Sequence, residues 1–472
     1  MKIFTLFIGL IFISHLTFAQ ADVWSPVVTD GFSNPNNYGI VEFDVFKGQL
    51  YAATAQKAVG TAQLWRSTTG NTGSWTQVTN FIPALPSAVK NIPSFGKTNL
   101  GGGIMWLGTG SPNTGTRIYR STDGSNWTAI SKKGFGNPGL ITPSPNMVVF
   151  QGTSDTIPYL YAGGGSHGGS TNAEVFRIPY NSTDSADWVK LIDFDTVATT
   201  ASDIVDLISY WCVWNNKIYF SGNGSGQIWE SSDGINFTQN LLGGTGYGFG
   251  VPSNIVIACL QVFNDTLFAA TTNKILGGQM YRTGDGINWQ SVTTDAFGKG
   301  NSAEELHNID TAFGYIWVTA YTDTATSNGC PIWRSSDGWF FVQSNTDGFG
   351  NPDIDGENPV TISFGNNMYF GGPNYTAGGQ IWRTTVATEV QNLSNNILIN
   401  VFPNPNNGEF TVYGLQFPVQ LQIYNSLGQI VHEQTLNSNL KTVNLSEAKS
   451  GIYFLQIKSD NFIQTEKLEV IK

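Results

Sequence analysis

Ile118-Tyr119-Arg120-Ser121-Thr122-Asp123-Gly124-Ser125-Asn126-Trp127 decides the fold of this chain, because variants of it return at nearly even intervals. The stretch reads as a strand, a tight turn and a second strand. Tyr119 and Trp127 are the large apolar residues flanking the turn. Asp123 offers a hydrogen-bonding side chain, Gly124 tolerates a positive φ, and Ser121 can tie the turn's own backbone. The aromatic recurs as Trp65, Tyr119, Phe176, Trp229, Tyr281, Trp333 and Trp382, with steps of 54, 57, 53, 52, 52 and 49 residues. One such hairpin cannot bury its aromatics. Units of about 50 residues hold four short strands each, and such units repeated radially make a β-propeller.

The expected fold is therefore all-β: a seven-bladed β-propeller followed by a small Ig-like β-sandwich. A strand pair precedes each hairpin, as in Phe263-Asn264-Asp265-Thr266-Leu267, and a fourth strand follows the Trp, often leading to a Gly-Phe loop such as that at Phe135, Phe297 or Phe349. The last copy stops at Thr385 without its Asp-Gly turn, while Trp24-Ser25-Pro26-Val27-Val28 is a fourth strand with no unit of its own. Pairing the two would close the ring and remove its open edge. In this topology the Asp-Gly turns and short first turns share one face. The second turns and interblade links, including residues 56–63, 110–116, 163–174, 322–331 and 373–380, share the other. Diverse loops on a rigid ring are where binding is expected.

The 472 residues carry 12% charged and 13% aromatic residues, 54 glycines and a formal net charge of -11. This suits a turn-rich exported β protein and excludes nucleic acid and other polyanions as partners. Residues 1–19, with Lys2, an apolar run and a Thr17-Phe18-Ala19 end, read as a signal peptide cut before Gln20. No later segment is long and apolar enough to span a bilayer, so no transmembrane segment is expected in the mature chain. With Cys212, Cys259 and Cys330 as the only cysteines, stability must come from the core. Cys212 and Cys259 fall on comparable strands of neighbouring units, where buried thiols are favoured over a bridge.

The turns around Asp123, Asp233, Asp285 and Asp337 resemble the Asp-box (BNR) repeat of sialidases and related propellers, over about ten residues in each of four units. Here Asp and Gly are adjacent, where the family has a residue between them. In that family the boxes are structural turns away from the active centre. Farther on, Val401-Phe402-Pro403-Asn404-Pro405-Asn406-Asn407-Gly408-Glu409-Phe410, then Leu421-Gln422-Ile423-Tyr424-Asn425-Ser426-Leu427-Gly428, Ser450-Gly451-Ile452-Tyr453-Phe454 and the terminal strand to Lys472 resemble the type A sorting domain of the type IX secretion system. With the repeats read as propeller over residues 20–388 and the Asn-rich 389–397 as linker, that resemblance implies 398–472 as sorting domain, with Pro403, Asn404, Pro405, Gly408, Gly428 and Gly451 carrying the motif. It implies the type IX machinery as partner and release to the medium or attachment at the surface. The same residues read as short alternating strands, with Gly428 and Gly451 at turns.

A sialidase needs an arginine triad, and Phe176-Arg177-Ile178-Pro179 is similar to the motif that carries one of the three. Yet of seven arginines, Arg66, Arg120, Arg177, Arg282, Arg334 and Arg383 share one repeat slot and Arg117 alone lies outside it. Equivalent slots point to equivalent places in different blades. Arg177 is thus expected to pair within its own blade, and no catalytic constellation stands out. His167 reads as a loop histidine. Tyr247, Phe249, His307, Tyr321 and Tyr375 are the candidate ligand contacts on the loop-rich face, where aromatics could stack on sugars. Glu304, Glu305, His307 and Asp310 form a polar cluster. Asp347, Asp353, Asp355 and Glu357 are the candidate oxygen ligands for Ca²⁺, without the full EF-hand spacing, and no other cofactor is expected. The favoured function is a non-catalytic binding or adhesion module for glycans or surface proteins. The alternative is a polysaccharide hydrolase or lyase using Glu42, Asp44, Asp310 or Glu357.

Overall fold

The computed structural model describes residues 22–56, 62–79, 94–96, 103–110, 115–143, 147–166, 171–197, 205–322, 328–356, 358–385, 400–402, 404, 406–413, 419–426, 428–436, 440–445, 447–458 and 463–472. The expected signal peptide and linker lie outside them, as do His167, Glu357, Pro403 and Pro405.

Up to Thr385 the strands pair as successive antiparallel meanders, each identified by its repeat aromatic. The Trp65 unit comprises Asn37–Phe46, Gln49–Gln56, Leu64–Ser67 and Thr76–Gln77. The Tyr119 unit comprises Ser94–Gly96, Met105–Thr109, Arg117–Ser121 and Thr128–Ala129. In the Phe176 unit the inner strand is split into Thr142–Pro143 and Val148–Phe150, followed by Tyr159–Gly165, Glu174–Pro179 and Val189–Asp193. The Trp229, Tyr281 and Trp333 units begin at Leu207–Trp214, Val256–Phe263 and Glu305–Ala312. The Trp382 unit has Val360–Phe364, Asn367–Gly372 and Gln380–Thr385. Its outer strand is Trp24–Val28, paired through Trp24↔Thr384 and Pro26↔Trp382. Pro26 is tolerated because this strand is the outer edge of its sheet. Trp24 also sits 5.4 Å from the Phe349 ring and donates from Nε1 to Ser344 Oγ at 3.0 Å.

Each unit packs on the next, and Val360–Phe364 touches Asn37–Phe46, returning the cycle to its start. The fold is propeller-like. Second turns and links lie on one face, as in Gly134 N donating to Thr116 O at 2.7 Å and Gly248 N to Gly226 O at 2.9 Å. First and third turns lie on the other, where Thr153 N donates to Ser232 O at 3.1 Å. The facing matches the topology read from the sequence.

The Asp-Gly turns fold by one pattern. Asp123 Oδ1 accepts from the backbone N–H of Ser125 at 2.8 Å and of Asn126 at 2.7 Å, and Gly124 N donates to Ser121 Oγ at 2.8 Å. The turns at Asp233, Asp285 and Asp337 repeat these bonds. Each turn seats on the second strand of the preceding unit. A Cβ on Gly124 would lie 2.1 Å from Tyr51 Oη, one on Gly234 2.0 Å from Tyr161 Oη, and one on Gly338 2.6 Å from Phe268 Cζ. Gly70 meets Tyr369 in the same way across the closure of the cycle.

These second-strand aromatics stand directly opposite the repeat-slot residues, as Tyr51↔Arg66, Tyr161↔Arg177, Phe268↔Arg282, Trp317↔Arg334 and Tyr369↔Arg383. The arginines then reach the next turn. Arg66 donates to Ser125 Oγ at 2.7 Å, Arg282 to Gly338 O at 3.2 Å, and Arg383 to Asn71 Oδ1. Arg177 pairs within its unit with Asp155 at 2.9 Å, as expected, and also reaches Gly234 O of the following unit at 3.4 Å. Arg334 pairs instead with Asp22, just ahead of the outer strand of the Trp382 unit, at 2.9 Å. Burial pushes the Tyr161 phenol up to about 12, so it stays a neutral donor to Gly234 O at 3.0 Å.

Cys212, Cys259 and Cys330 are free and buried, and burial pushes the Cys330 thiol up to about 12. Cys259 Sγ accepts from Ile309 N at 3.3 Å and donates to Leu260 O at 3.9 Å, which ties the buried thiol into the core.

The C-terminal module is a sandwich of two antiparallel sheets. One has Asn400–Phe402, Glu409–Tyr413 and Leu440–Asn444; the other has Ile430–Leu436, Val419–Asn425, Gly451–Lys458 and Ile463–Val470. Alternating Phe410 and Val412 meet Leu421, Ile423, Leu455 and Leu468 between the sheets. Asn404 bridges to the last strand, donating to Lys467 O at 2.7 Å and accepting from Glu469 N at 2.8 Å. Gly408 and Gly428 take positive φ of 101° and 76°. Gly451, expected at a turn, instead opens a strand with room for a Cβ, so turn geometry does not require a glycine there.

Gly234→Ala should destabilise the protein by about 3 kcal/mol, through a strained φ and the collision with Tyr161. Gly73→Ala, at a φ of 76° with open space around it, should cost only about 1 kcal/mol. Guanidinium denaturation of both variants measures the difference. Removing residues 22–28 should lower the melting temperature and cause association through the exposed edge of Gln380–Thr385, read by thermal melting and size-exclusion chromatography.

The backbone N–H of Asn126 is the largest influence holding the Asp123 carboxyl well below the usual carboxylate range. A depressed folded-state pKa gives stability that is complete above the unfolded value of about 3.9 and lost as pH falls toward the folded one. Asp123→Ala should therefore lose less stability than the wild type when denaturation midpoints are compared between about pH 5 and pH 2.

Candidate ligand-binding face

On the loop-rich face, the inner strand Glu305–Ala312 begins beside the neighbouring Tyr281 unit, and Thr272 of that unit stands opposite Glu305. Tyr321 is the cross-strand partner of Glu305 within the Trp333 unit. Thr272 Oγ1 donates to Glu305 Oε2 at 2.5 Å, and His307 Nδ1 lies 2.5 Å from Glu305 Oε1. Burial works against the Glu305 carboxylate, but the His307 and Thr272 hydrogen bonds and the Lys274 charge outweigh it and hold its pKa below the usual range. A carboxylate on Nδ1 makes Nε2 the basic nitrogen of a neutral His307. The strand places His307 at the bulge between Leu306 and Asn308, equivalent to Ser209 and Ala258 in the two preceding units. The bulge turns the imidazole out of the repeating core pattern. Thr272, Glu305 and His307 therefore form a hydrogen-bonding group shared by two units, with Tyr321 opposite Glu305 on the adjoining strand.

The other predicted contacts separate. Phe249 has a φ of 58° and stacks on Tyr281 at 3.9 Å and 14°. The same stack joins Phe32 to Trp65, Phe135 to Phe176 and Phe349 to Trp382. Repeat packing thus accounts for Phe249, because each link phenylalanine lies on the aromatic of the unit it enters. Tyr247, just before it, is half-buried, and its carbonyl accepts from Thr245 Oγ1 at 3.0 Å. Tyr375 is 40% exposed and stacks on buried Tyr38 at 4.7 Å, bridging the last and first units.

Asp347, Asp353 and Asp355 do not gather as a calcium cage. Lys299 Nζ holds Asp347 at 2.7 Å and Gln343 donates to it at 2.6 Å. Asp353 is exposed and Asp355 buried. Among the described residues no group of three or more His, Cys, Asp or Glu side chains is placed to hold a metal ion. The cluster around Glu305 also divides, since Glu304 faces Lys274 at 3.5 Å and Asp310 lies five residues farther along the strand.

Asp310 instead belongs with the central strands. The Tyr210 phenol is pushed well above its ordinary value by burial first, then by Cys259, Glu42 and Asp310. Carboxylates from the Trp65 and Trp333 units thus act on one buried tyrosine of the Trp229 unit. Glu42 and Tyr210 also occupy equivalent places, each just after a bulge in its inner strand. Tyr210 escaped sequence reasoning because a tyrosine among strand aromatics carries no local sign of facing two acids. The second-strand aromatics could have been found, since each precedes its repeat-slot residue by 11 to 17 positions.

Among the described residues no helix is long and apolar enough to cross a membrane. Curated proteins offer no sequence match to the chain. Among solved structures it is similar to PorZ of Porphyromonas gingivalis, described as an essential bacterial surface component of the type IX secretion system, with 14% identity and a TM-score of 0.48. That alignment covers 95% of this chain and 61% of PorZ, so the chain spans less than two thirds of that protein's length. It is also similar to the Hadza microbial sialidase Hz136, at 12% identity and a TM-score of 0.41 over 77% of this chain and 68% of the other. A third likeness is to the fucose-recognising lectin of Aleuria aurantia, at 11% identity and a TM-score of 0.39 over 67% and 97%. Residues 400–472 match the secretion system C-terminal sorting domain. The protein is thus exported across the outer membrane to the cell surface or the extracellular space.

Proposed function

We propose that the chain is a seven-bladed Asp-box propeller that serves as a non-catalytic binding module for glycans, carried out of the cell by its sorting domain. The blade count rests on the seven repeat aromatics and on closure by Trp24–Val28. One observation carries the functional reading. Arg66, Arg177, Arg282, Arg334 and Arg383 are engaged in contacts between or within units, which leaves Arg117 and Arg120, two where a triad that grips a substrate carboxylate needs three. The loop-rich face, by contrast, keeps the Glu305–His307 pair and exposed Tyr375 outside the repeat pattern. Binding of the purified chain to a glycan array, run beside a hydrolysis screen on the same glycans, tests this. Binding without turnover is expected, and turnover would refute it.

A second reading, a polysaccharide hydrolase, draws on Glu42 and Asp310, whose charges both add to the rise of the Tyr210 phenol. On that reading turnover should appear in the screen and fall by about 100-fold or more in Glu42→Gln or Asp310→Asn, the scale of losing a catalytic acid or base.

Deleting residues 400–472 should retain the propeller in the periplasm, while the full chain reaches the surface or medium. Cell fractionation with immunodetection reads the difference.

A further inference from the structure

The residue two places before the repeat aromatic is glutamine in four units, and it holds that aromatic by its polar edge. Trp65 Nε1 donates to Gln63 at 3.0 Å, Trp229 Nε1 to Gln227 at 2.7 Å, Tyr281 Oη to Gln279 at 2.6 Å, and Trp382 Nε1 to Gln380 at 2.9 Å. The Phe176 unit breaks this lock on both sides. Its aromatic has no polar hydrogen, and glutamate, Glu174, replaces the amide. The Glu174 side chain is only 4% exposed. It accepts from Asn137 Nδ2 at 2.6 Å and lies 3.3 Å from Lys190 Nζ, which also holds Asp193 at 2.7 Å.

This altered lock lines a cavity of about 570 Å³ between the Tyr119 and Phe176 units, reaching from the link at Asn137 to the turn at Ser185, with Phe176, Trp188 and Asp195 among its walls. Such a volume suits a small organic ligand. Trp188 is fixed, its Nε1 donating to Ile130 O at 2.6 Å and its ring standing edge-on to Phe135 at 4.9 Å. We propose that this cavity binds a neutral saccharide, a proposal that rests on the glycan-binding reading and names its site. Fixed aromatic walls beside hydrogen-bonding carboxylates and a lysine match a ring with one apolar face and a rim of hydroxyls. Glu174, Asp193 and Asp195 accept from hydroxyls, and Lys190, held between two of them, donates. Three carboxylates against Lys132 and Lys190 leave the cavity with an acidic excess, which disfavours anionic sugars.

The test titrates the full chain with neutral mono- and disaccharides and with sialyllactose by calorimetry, comparing wild type, Glu174→Gln, Lys190→Ala and, as a control on the opposite face, Lys47→Ala at an exposed first turn. Glu174→Gln conserves shape, so folding is preserved, and thermal melting verifies this. The expected result is that a neutral sugar binds wild type and Lys47→Ala alike and binds Glu174→Gln and Lys190→Ala at least tenfold more weakly. Unchanged affinity in those two variants would overturn the cavity assignment while leaving the glycan-binding reading standing. Binding of sialyllactose alone would overturn the neutral-sugar assignment. Silence towards every sugar here and on the array would overturn both.

Discussion

The contact on which the propeller-like domain depends is the seating of an Asp-Gly turn on the aromatic of the unit before it. Gly124 above Tyr51, Gly234 above Tyr161 and Gly338 above Phe268 leave no room for a Cβ. Each seat joins a rigid hydrogen-bonded turn to an aromatic and, where an arginine stands opposite it, to that side chain as well. An aromatic pair or cation–π contact contributes about 1 kcal/mol. What matters is that the joint recurs with the period of the chain. A second periodic joint, the link phenylalanine stacked on the next aromatic, works on the opposite face. Neighbouring units are thus held at both ends of their sheets, and Trp24, inserted between Phe349 and Trp317, does the same between the Trp333 unit and the Trp382 unit whose outer strand it begins.

A scaffold held this way leaves function to positions that depart from the repeat. His307 occupies a bulge position filled by small residues in the two preceding units, and it faces a carboxylate. Glu174 occupies a slot filled elsewhere by glutamine, and a cavity lies beside it. Both departures are on the face of links and second turns. The turn face, by contrast, is occupied by the Asp-Gly seats.

Much of the architecture was legible in the residues. The spacing of Trp65 through Trp382 gives the unit length, and the incomplete last copy with the stray Trp24 strand gives the closure, because both are properties of one chain read along its length. The facing of the loops follows from antiparallel connectivity alone. The loop-rich face was only partly legible. His307 and Tyr321 do meet at Glu305, whereas Phe249 proves to be a packing element and Asp347 belongs to Lys299. A phenylalanine free to stack on a sugar and one stacked on Tyr281 have the same local sequence.

By itself, then, the sequence determined the repeat, the closure of the cycle and the sorting module that sends the protein out of the cell. These depend on periodicity and on short motifs whose backbone demands are local. Only the tertiary structure decided that the repeat arginines reach into the following unit, that Glu42 and Asp310 act on Tyr210, and that Glu174 opens onto a cavity. The reason is the rotation of one unit against the next. It sets which distant side chains meet, and nothing in the order of residues records it.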